Sequence, residues 1–442
     1  MGRRLMRGRV EVKLWGTTIG YLGYAPGQNE IATFEYTEAF IRSNIFPSPL
    51  MMRYPPSRFS FPDISLRTFK GIAGIFADSL PDKYGNQLID IFMAEKKIAP
   101  ESITTLDRLL YVGTRGMGAL EYHPSEFDDA HQEANNALDI HLLCELAQRV
   151  LSKKESLHVS LQKAQTKKDA LNLIRVGSSA GGARAKALVA RDLQGKFYDG
   201  TMDHGTSHSY WLLKFDSAQN SDRDSKDPKG MPKVEYIYAQ LAKECGIDMP
   251  EVEYIQDGED FHFLIKRFDR DTHTSKLQKV HYASWSGLAH ADRDATGAYS
   301  YEQLILTARQ LGLGQDAITE LYRRAMFNIV GRNQDDHTKN FGFLMDKTGT
   351  WKLSPAFDMT YAYDPTGKWT RSHQIKLSGK QEEFLREDVI KFGAYCNLSA
   401  RKAQTIFDEV INAFQLFEVK AKALEVEPLL RETICQNLRL TW

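Results

Sequence analysis

Residues 327–364, FNIVGRNQDDHTKNFGFLMDKTGTWKLSPAFDMTYAYD, gather carboxylates, an amide, a histidine and a lysine into one short stretch. Asp335 and Asn340 stand in an Asp-x4-Asn spacing, and Asp358 follows downstream. Two acidic groups and an amide converging on one point suit a Mg²⁺ ion held between phosphates, because hard cations take oxygen ligands. A further carboxylate can orient a hydroxyl and accept its proton. The offsets and roles match those of a protein-kinase catalytic loop, although the HRD and DFG letters are absent. Asp336 competes with Asp335 for the part of base. The alternative is a polar loop whose Asp and Asn bond only their own backbone.

Two kinds of element must position these residues. Before the loop, Ile318, Leu321, Tyr322, Ala325, Met326, Ile329 and Val330 recur on one face of a helix, and Gly331 stops it. After the loop, 341–345 and 351–353 read as short strands joined by the turn residues Asp346, Lys347, Thr348 and Gly349. Such a hairpin brings Asp335 and Asn340 at its entrance near Asp358 past its exit.

A second constellation lies upstream. In residues 176–190, VGSSAGGARAKALVA, Gly177, Gly181 and Gly182 give a backbone whose N–H groups can cradle phosphate. The Walker A pattern GxxxxGK[ST] is absent, and a plain turn is the alternative. Lys186 opens a strand through 188–190, and residues 193–196 turn. Residues 210–215, YWLLKF, form a strand with Lys214 near its end. Val234, Ile237, Tyr238, Leu241, Ala242 and Cys245 then stripe a helix that ends at Gly246, with Glu235 beside the stripe. Glycine loop, strand lysine, helix glutamate is the order of a kinase small lobe, where the Lys holds nucleotide phosphates and the Glu holds the Lys. Taken singly, Lys214 reads as a solvated strand end and Glu235 as a solvated helix residue. Residues 261–268, FHFLIKRF, form a strand that in such a lobe leads to the adenine hinge, and Asp269-Arg270-Asp271 reads as a metal site or a salt-bridged turn. His204 and His208 have HxxxH spacing but no helix and no third ligand, which argues against zinc.

Composition sets the outer limits. The chain of 442 residues is too long for one ordinary core. Lys plus Arg equals Asp plus Glu at 57 each, so no global charge points to nucleic acid or an acidic membrane. Cys144, Cys245, Cys396 and Cys435 are far apart and read as small buried hydrophobes in a reducing compartment. Without a run of 18 apolar residues, no spanning helix is expected and the cytoplasm is the default.

At the N-terminus, Val10, Val12 and Leu14 alternate with polar residues, Gly16-Thr17-Thr18 turns, and 19–24 return as a strand. In 69–95 an irregular Asp78-Ser79-Leu80-Pro81 segment precedes a helix over 82–93. Asp78 and Ser79 are catalytic candidates, with a turn or cap as the simpler reading. The polar stretch 124–136 marks a boundary, and a helix spans 138–151. A polar insertion occupies 199–233. Beyond Arg386 the chain reads as helices, with Ser399 a cap before 400–417.

These motifs, in this order, resemble the HipA toxin kinases of bacterial type II toxin–antitoxin systems over nearly the full length. VEVKLWGTTIGYL and FADSLPDKYG are similar to that family's N-terminal subdomain, VGSSAGGARAKA to its serine-containing glycine loop, and DDHTKNF and FDM to its catalytic and metal-binding motifs. The resemblance implies an α+β, two-lobed fold related to protein and phosphoinositide kinases, with a β-rich N-terminal subdomain at 1–130, a small lobe at 138–268 and a helical lobe at 269–442. It implies ATP and Mg²⁺, a HipB-like helix-turn-helix antitoxin, operator DNA reached through that antitoxin, and a protein substrate that in some relatives is an aminoacyl-tRNA synthetase. Carried over by position, Asp335 matches the base, Asn340 and Asp358 the Mg²⁺ ligands, and Lys214 the phosphate lysine. Gly181, Gly182, Ala183, Lys186, Glu235, Lys266, Phe268, His337 and Lys339 fall at nucleotide-site positions. Ser179 matches a serine that members phosphorylate on themselves, with Ser178 adjacent. A phosphate there would add negative charge where ATP phosphates must sit. Ala185 departs from the Pro often found before the loop lysine. Two rivals to the toxin kinase are a kinase-like corepressor and a small-molecule kinase of the aminoglycoside or choline type.

Overall fold

The computed structural model describes residues 9–95, 97–125, 137–151, 176–177, 184–216 and 228–442. The chain divides into two compact units: Met1–Asp222 with Lys266–Ala283 and Met345–Thr350, and Arg223–Ile265 with Ser284–Leu344 and Trp351–Trp442.

In the first unit β1 (Arg9–Leu14), β2 (Thr17–Tyr24), β3 (Ala32–Tyr36), β4 (Arg58–Phe59) and β5 (Leu120–His123) form one sheet in the order β4-β3-β2-β1-β5. The alternation that predicts β1 buries Val10, Val12 and Leu14, and a register shift at Val12/Lys13 bulges the β1–β2 pairing. Phe34 from β3 packs on Phe76 with ring centroids 4.8 Å apart. The helix expected over 82–93 spans Lys83–Glu95, with Asp82 just before it accepting from the Gly85 N–H at 2.7 Å. A second, antiparallel group comprises β6 (Lys186–Arg191), β7 (Phe197–Asp199) and β8 (Ser209–Lys214), with β6 in the middle.

A buried ionic joint ties the segment after Lys266 to the N-terminal sheet within this unit. Asp269 accepts from Arg267 Nη2 at 2.8 Å, Arg270 Nη1 at 2.7 Å and the Gly118 N–H at 2.7 Å. Arg270 Nη2 also donates to the Gly116 carbonyl, and Lys279 pairs with Glu121 at 2.7 Å. The Asp-Arg-Asp run is therefore built as a salt-bridged turn around Asp269.

The second unit is mainly helical around the helices Met231–Glu244, Gln315–Val330 and Ala400–Gln415. Tyr238, Phe327, Phe414 and Phe417 meet edge to face or tilted in its core. Gly331 ends Gln315–Val330 as expected, but its φ of −82° is available to any residue. What requires glycine there is space, since a Cβ would overlap the Phe414 ring. The Tyr238 hydroxyl donates to the Gly331 carbonyl at 2.7 Å, which fixes where the segment carrying Asp335 begins. The strands Gly342–Met345 and Trp351–Leu353 form the expected hairpin, and Asp346 Oδ1 accepts from the Thr348 and Thr350 N–H groups in its turn. Ser399 Oγ caps Ala400–Gln415 by accepting from the Lys402 N–H. β9 (Val252–Asp257) and β10 (Asp260–Lys266) pair as an antiparallel hairpin.

Candidate active site

The segment after Gly331 is held by its own side chains. Asn340 Nδ2 donates to the Asp335 carbonyl at 2.7 Å, the Asn340 N–H bonds the His337 carbonyl at 2.9 Å, and Thr338 Oγ1 bonds the Ala291 carbonyl at 2.8 Å. A 3₁₀ turn over Thr338–Asn340 results. It puts the two adjacent aspartates in opposite environments. Asp336 is buried, with Oδ2 accepting from the Tyr301 hydroxyl and His373 Nδ1, both at 2.8 Å, and Oδ1 accepting from the Gln374 N–H at 2.7 Å. The Asp335 side chain keeps 40% of its surface exposed, with His337 Nε2 at 3.9 Å from its Oδ1. The Tyr301 phenol is pushed well above its ordinary pKa by burial and by the Asp336 charge, so it serves as a donor.

His337 is mostly enclosed. Burial pushes its pKa down, with the Asp335 charge opposing, and its Nδ1 has no hydrogen-bond partner. Asn333 Oδ1 is likewise buried and without a partner, while Asn333 Nδ2 donates to Asn328 Oδ1 at 2.9 Å and approaches the Asp358 carbonyl at 3.4 Å. Asp358 sits at φ +52°, a left-handed conformation that Asp tolerates better than most residues. Asn340 spends its amide nitrogen on the loop, so its carbonyl oxygen is not used by that bond. The side-chain oxygens of Asn340 and Asp358 are donors of the kind a hard divalent cation takes, so their chemistry suits Mg²⁺. Lys339, beside Asn340, is partly exposed.

In the first unit, Lys186 on β6 and Lys214 on β8 are direct cross-strand partners. Directly opposed side chains project on the same face of a sheet. Both lysines are buried, at 3% and 7% exposure, so neither is a solvated strand end. Like charges in that arrangement repel, and the cost is offset by anions. Asp82 supplies one, with its Oδ2 3.4 Å from Lys186 Nζ. Lys266 places its ammonium 6.0 Å from the centre of the Trp211 ring, and the Phe268 ring lies 5.9 Å from that of Tyr282. Glu235, on Met231–Glu244 in the second unit, is buried rather than solvated. Gly181, Gly182, Ala183, Ser178 and Ser179 lie outside the described residues.

The remaining sequence candidates make local structural contacts. Asp78 ends the short helix Gly74–Ala77, and Ser79 Oγ accepts from the Tyr122 hydroxyl at 2.8 Å. His204 Nε2 bonds the Asp199 carbonyl at 2.8 Å. Asp82, Tyr301, Asn328, Asn333 and His373 were not singled out from the sequence. Asp82 carried one readable signal, its place before a helical pattern, but its pairing with Lys186 spans a distance no local pattern encodes.

The fold is mixed α/β with antiparallel sheets, and it is shared with the toxin HipA. The chain superposes on a solved complex of the Shewanella oneidensis MR-1 toxin–antitoxin system, described as HipA, HipB and its operator DNA, with a TM-score of 0.65, 16% identity, and coverage of 97% of this chain and 94% of that one. Family models assign the sequence more narrowly: residues 10–123 match the HipA N-terminal domain and residues 178–416 the HipA-like C-terminal domain. The chain belongs to the HipA family. Among curated relatives it is 25% identical over 334 residues, 72% of this chain and 70% of the other, to "Putative kinase Y4dM" of Sinorhizobium fredii. It is 33% identical over 141 residues, 28% of this chain and 39% of the other, to a "Putative kinase" of Haemophilus influenzae. Among the described residues, no helix is long and apolar enough to cross a membrane.

Proposed function

We propose that this chain is a two-lobed serine/threonine protein kinase, the toxin of a toxin–antitoxin pair, using ATP with Mg²⁺ in the cytoplasm. The observation that carries the reading is the division of labour between Asp335 and Asp336. Asp336 is consumed by buried donors, whereas Asp335 presents a partly exposed carboxylate next to a buried, uncommitted His337 nitrogen.

Asp335 accepts the proton of the substrate hydroxyl as its oxygen bonds the γ-phosphorus and the bond from that phosphorus to the β,γ-bridging oxygen breaks, releasing ADP. Lys214 and Lys186 bind nucleotide phosphates, with Glu235, Lys266, Phe268, His337 and Lys339 completing the nucleotide site. Asn340 and Asp358 would hold Mg²⁺, which when bound offsets phosphate charge. The buried cross-strand lysines support this assignment, since their repulsion falls when an anion is present. The protein substrate is translation-related, an aminoacyl-tRNA synthetase being one candidate. Ser179 in the glycine loop is the self-phosphorylated residue. Family membership and the Shewanella oneidensis complex support a HipB-like antitoxin as partner, with operator DNA reached through it.

Intact mass before and after incubation with Mg²⁺ and ATP tests the reading. One added phosphate mapped to Ser179, and absent in Asp335→Gln, is the expected result. An unchanged mass, starting from verified unphosphorylated protein, would reject self-phosphorylation.

A further inference from the structure

The second unit contains a buried chain of hydrogen bonds that the phosphoryl-transfer chemistry does not itself use. Arg439 Nη1 lies 3.1 Å from His373 Nε2. A guanidinium can only donate, so Nε2 accepts and the imidazole proton resides on Nδ1. Nδ1 in turn donates to Asp336 Oδ2 at 2.8 Å. From the other side, Asn333 Nδ2 donates to Asn328 Oδ1 at 2.9 Å, Asn328 Nδ2 to the Tyr301 hydroxyl at 3.0 Å, and that hydroxyl to Asp336 Oδ2 at 2.8 Å. Every donor in the chain is directed toward Asp336. Its far end, Asn333, also reaches the carbonyl of Asp358, whose backbone is left-handed.

Arg439 is itself clamped. Its N–H bonds the Val330 carbonyl at 3.0 Å, Nη1 bonds the Ile329 carbonyl at 2.9 Å, and Nη2 pairs with Glu382. Glu382 also pairs with Arg332 at 3.1 Å. The last turn of Gln315–Val330, the residue after Gly331 and the start of the catalytic segment thus share one polar frame.

We propose that Asp336 and His373 are positioning residues that set the Asp335 and Asp358 segments in a common register through this chain. The proposal rests on the reading of Asp335 as the base. Asp336 touches neither substrate nor metal in this scheme. Its carboxylate fixes the backbone next to Asp335, and the Tyr301–Asn328–Asn333 branch carries the same constraint to Asp358. Buried networks of this kind hold one geometry, because breaking any link strands a buried polar group.

The test uses the full chain and labelled ATP, reading phosphate transferred to the chain itself against ATP concentration. Asp336→Asn and His373→Leu should lower the rate constant at saturating ATP by about a hundredfold, the effect of a displacement near 1 Å, while half-saturating ATP moves less than about threefold. His373→Asn, whose amide can replace Nδ1 as donor to Asp336, should recover most of the rate lost in His373→Leu. Loss of rate only in proportion to unfolded protein, or no difference between the Asn and Leu variants, would overturn the proposal. If Asp336→Asn does not fold, the His373 pair decides alone.

Amide hydrogen exchange supplies a readout that does not depend on activity. In His373→Leu, exchange at 334–341 and at 358–360 should accelerate together by about tenfold or more. Acceleration confined to the neighbours of residue 373 would refute a shared frame. A wild-type chain that transfers no phosphate would sink the kinase reading while leaving the exchange result to judge the frame.

Discussion

Asp269 in the first unit and Asp336 in the second are both fully enclosed carboxylates that collect donors from distant parts of the sequence, yet they are built from opposite materials. Asp269 is met by two guanidinium groups and one backbone N–H. Asp336 is met by a phenol, an imidazole nitrogen and a backbone N–H. Burial alone would raise the pKa of Asp269, but Arg267 and Arg270 overcome it and hold the carboxyl well below the ordinary range. In the proposed scheme no proton acceptor stands beside that joint, which can use full charges. Beside Asp335, in its proposed role as base, a cation placed directly on the anchor would also weaken the carboxylate as a proton acceptor, whereas weaker dipolar donors fix geometry with little electrostatic cost.

The comparison is broken most forcefully at Asp269. Asp269→Ala leaves two guanidinium groups buried without their anion and should destabilise the protein by about 3–5 kcal/mol. Denaturant unfolding measures this, and a loss under about 1 kcal/mol would show that the joint is solvated in solution. Asp335→Asn should do the reverse. Phosphate transfer should drop by about 10²–10⁴-fold, as expected for a general base, with stability shifted by less than about 0.5 kcal/mol. Retained transfer would remove Asp335 from the base role.

Acid titration sharpens the contrast. Burial pushes His281 in the first unit and His290 in the second down to about 4. Both are neutral in the folded chain, while in the unfolded chain each binds a proton below its ordinary value of 6.5. Unfolding therefore takes up protons, and stability present above pH 6.5 is lost as pH falls toward 4. For fully buried His281 the loss approaches about 3 kcal/mol, and His281→Asn should flatten that part of the profile. Asp269 adds to the pH dependence only at lower pH. Its folded pKa is depressed, so its contribution is complete above the unfolded value near 4 and fades as pH falls through the folded one. A stability curve flat from pH 7 to 4 would contradict the histidine assignment.

The smallest effect concerns packing. Gly331→Ala forces a Cβ into the Phe414 ring and should cost about 1–3 kcal/mol, lowering the melting temperature without the hundredfold kinetic loss expected at His373. A larger kinetic than thermal effect would extend the positioning frame to the helix terminus.

Much of the architecture is legible in local pattern. The apolar stripe before Gly331, the hairpin closed by Asp346 to Gly349, the cap at Ser399 and the strands carrying Lys186 and Lys214 all follow from periodicity and turn chemistry. The burial of Lys214 and Glu235 is less so, because a charged residue beside an apolar stripe carries the same local signature whether solvated or enclosed. Even the reason for Gly331 differs from its sequence signal, which suggests a chain stop where the packing demands an absent side chain.

The sequence by itself determined the family, the order of the motifs and the residue types that can do the chemistry, because these depend on near neighbours and spacing along the chain. Only the tertiary structure showed that Asp335 and Asp336 stand in opposite environments, joined Asp82 to Lys186, and placed Gly116 and Gly118 on Arg270. Each of those outcomes is a contact between segments far apart in sequence. A buried carboxylate is assigned its task by the donors that close around it, and those donors arrive only when the chain has folded.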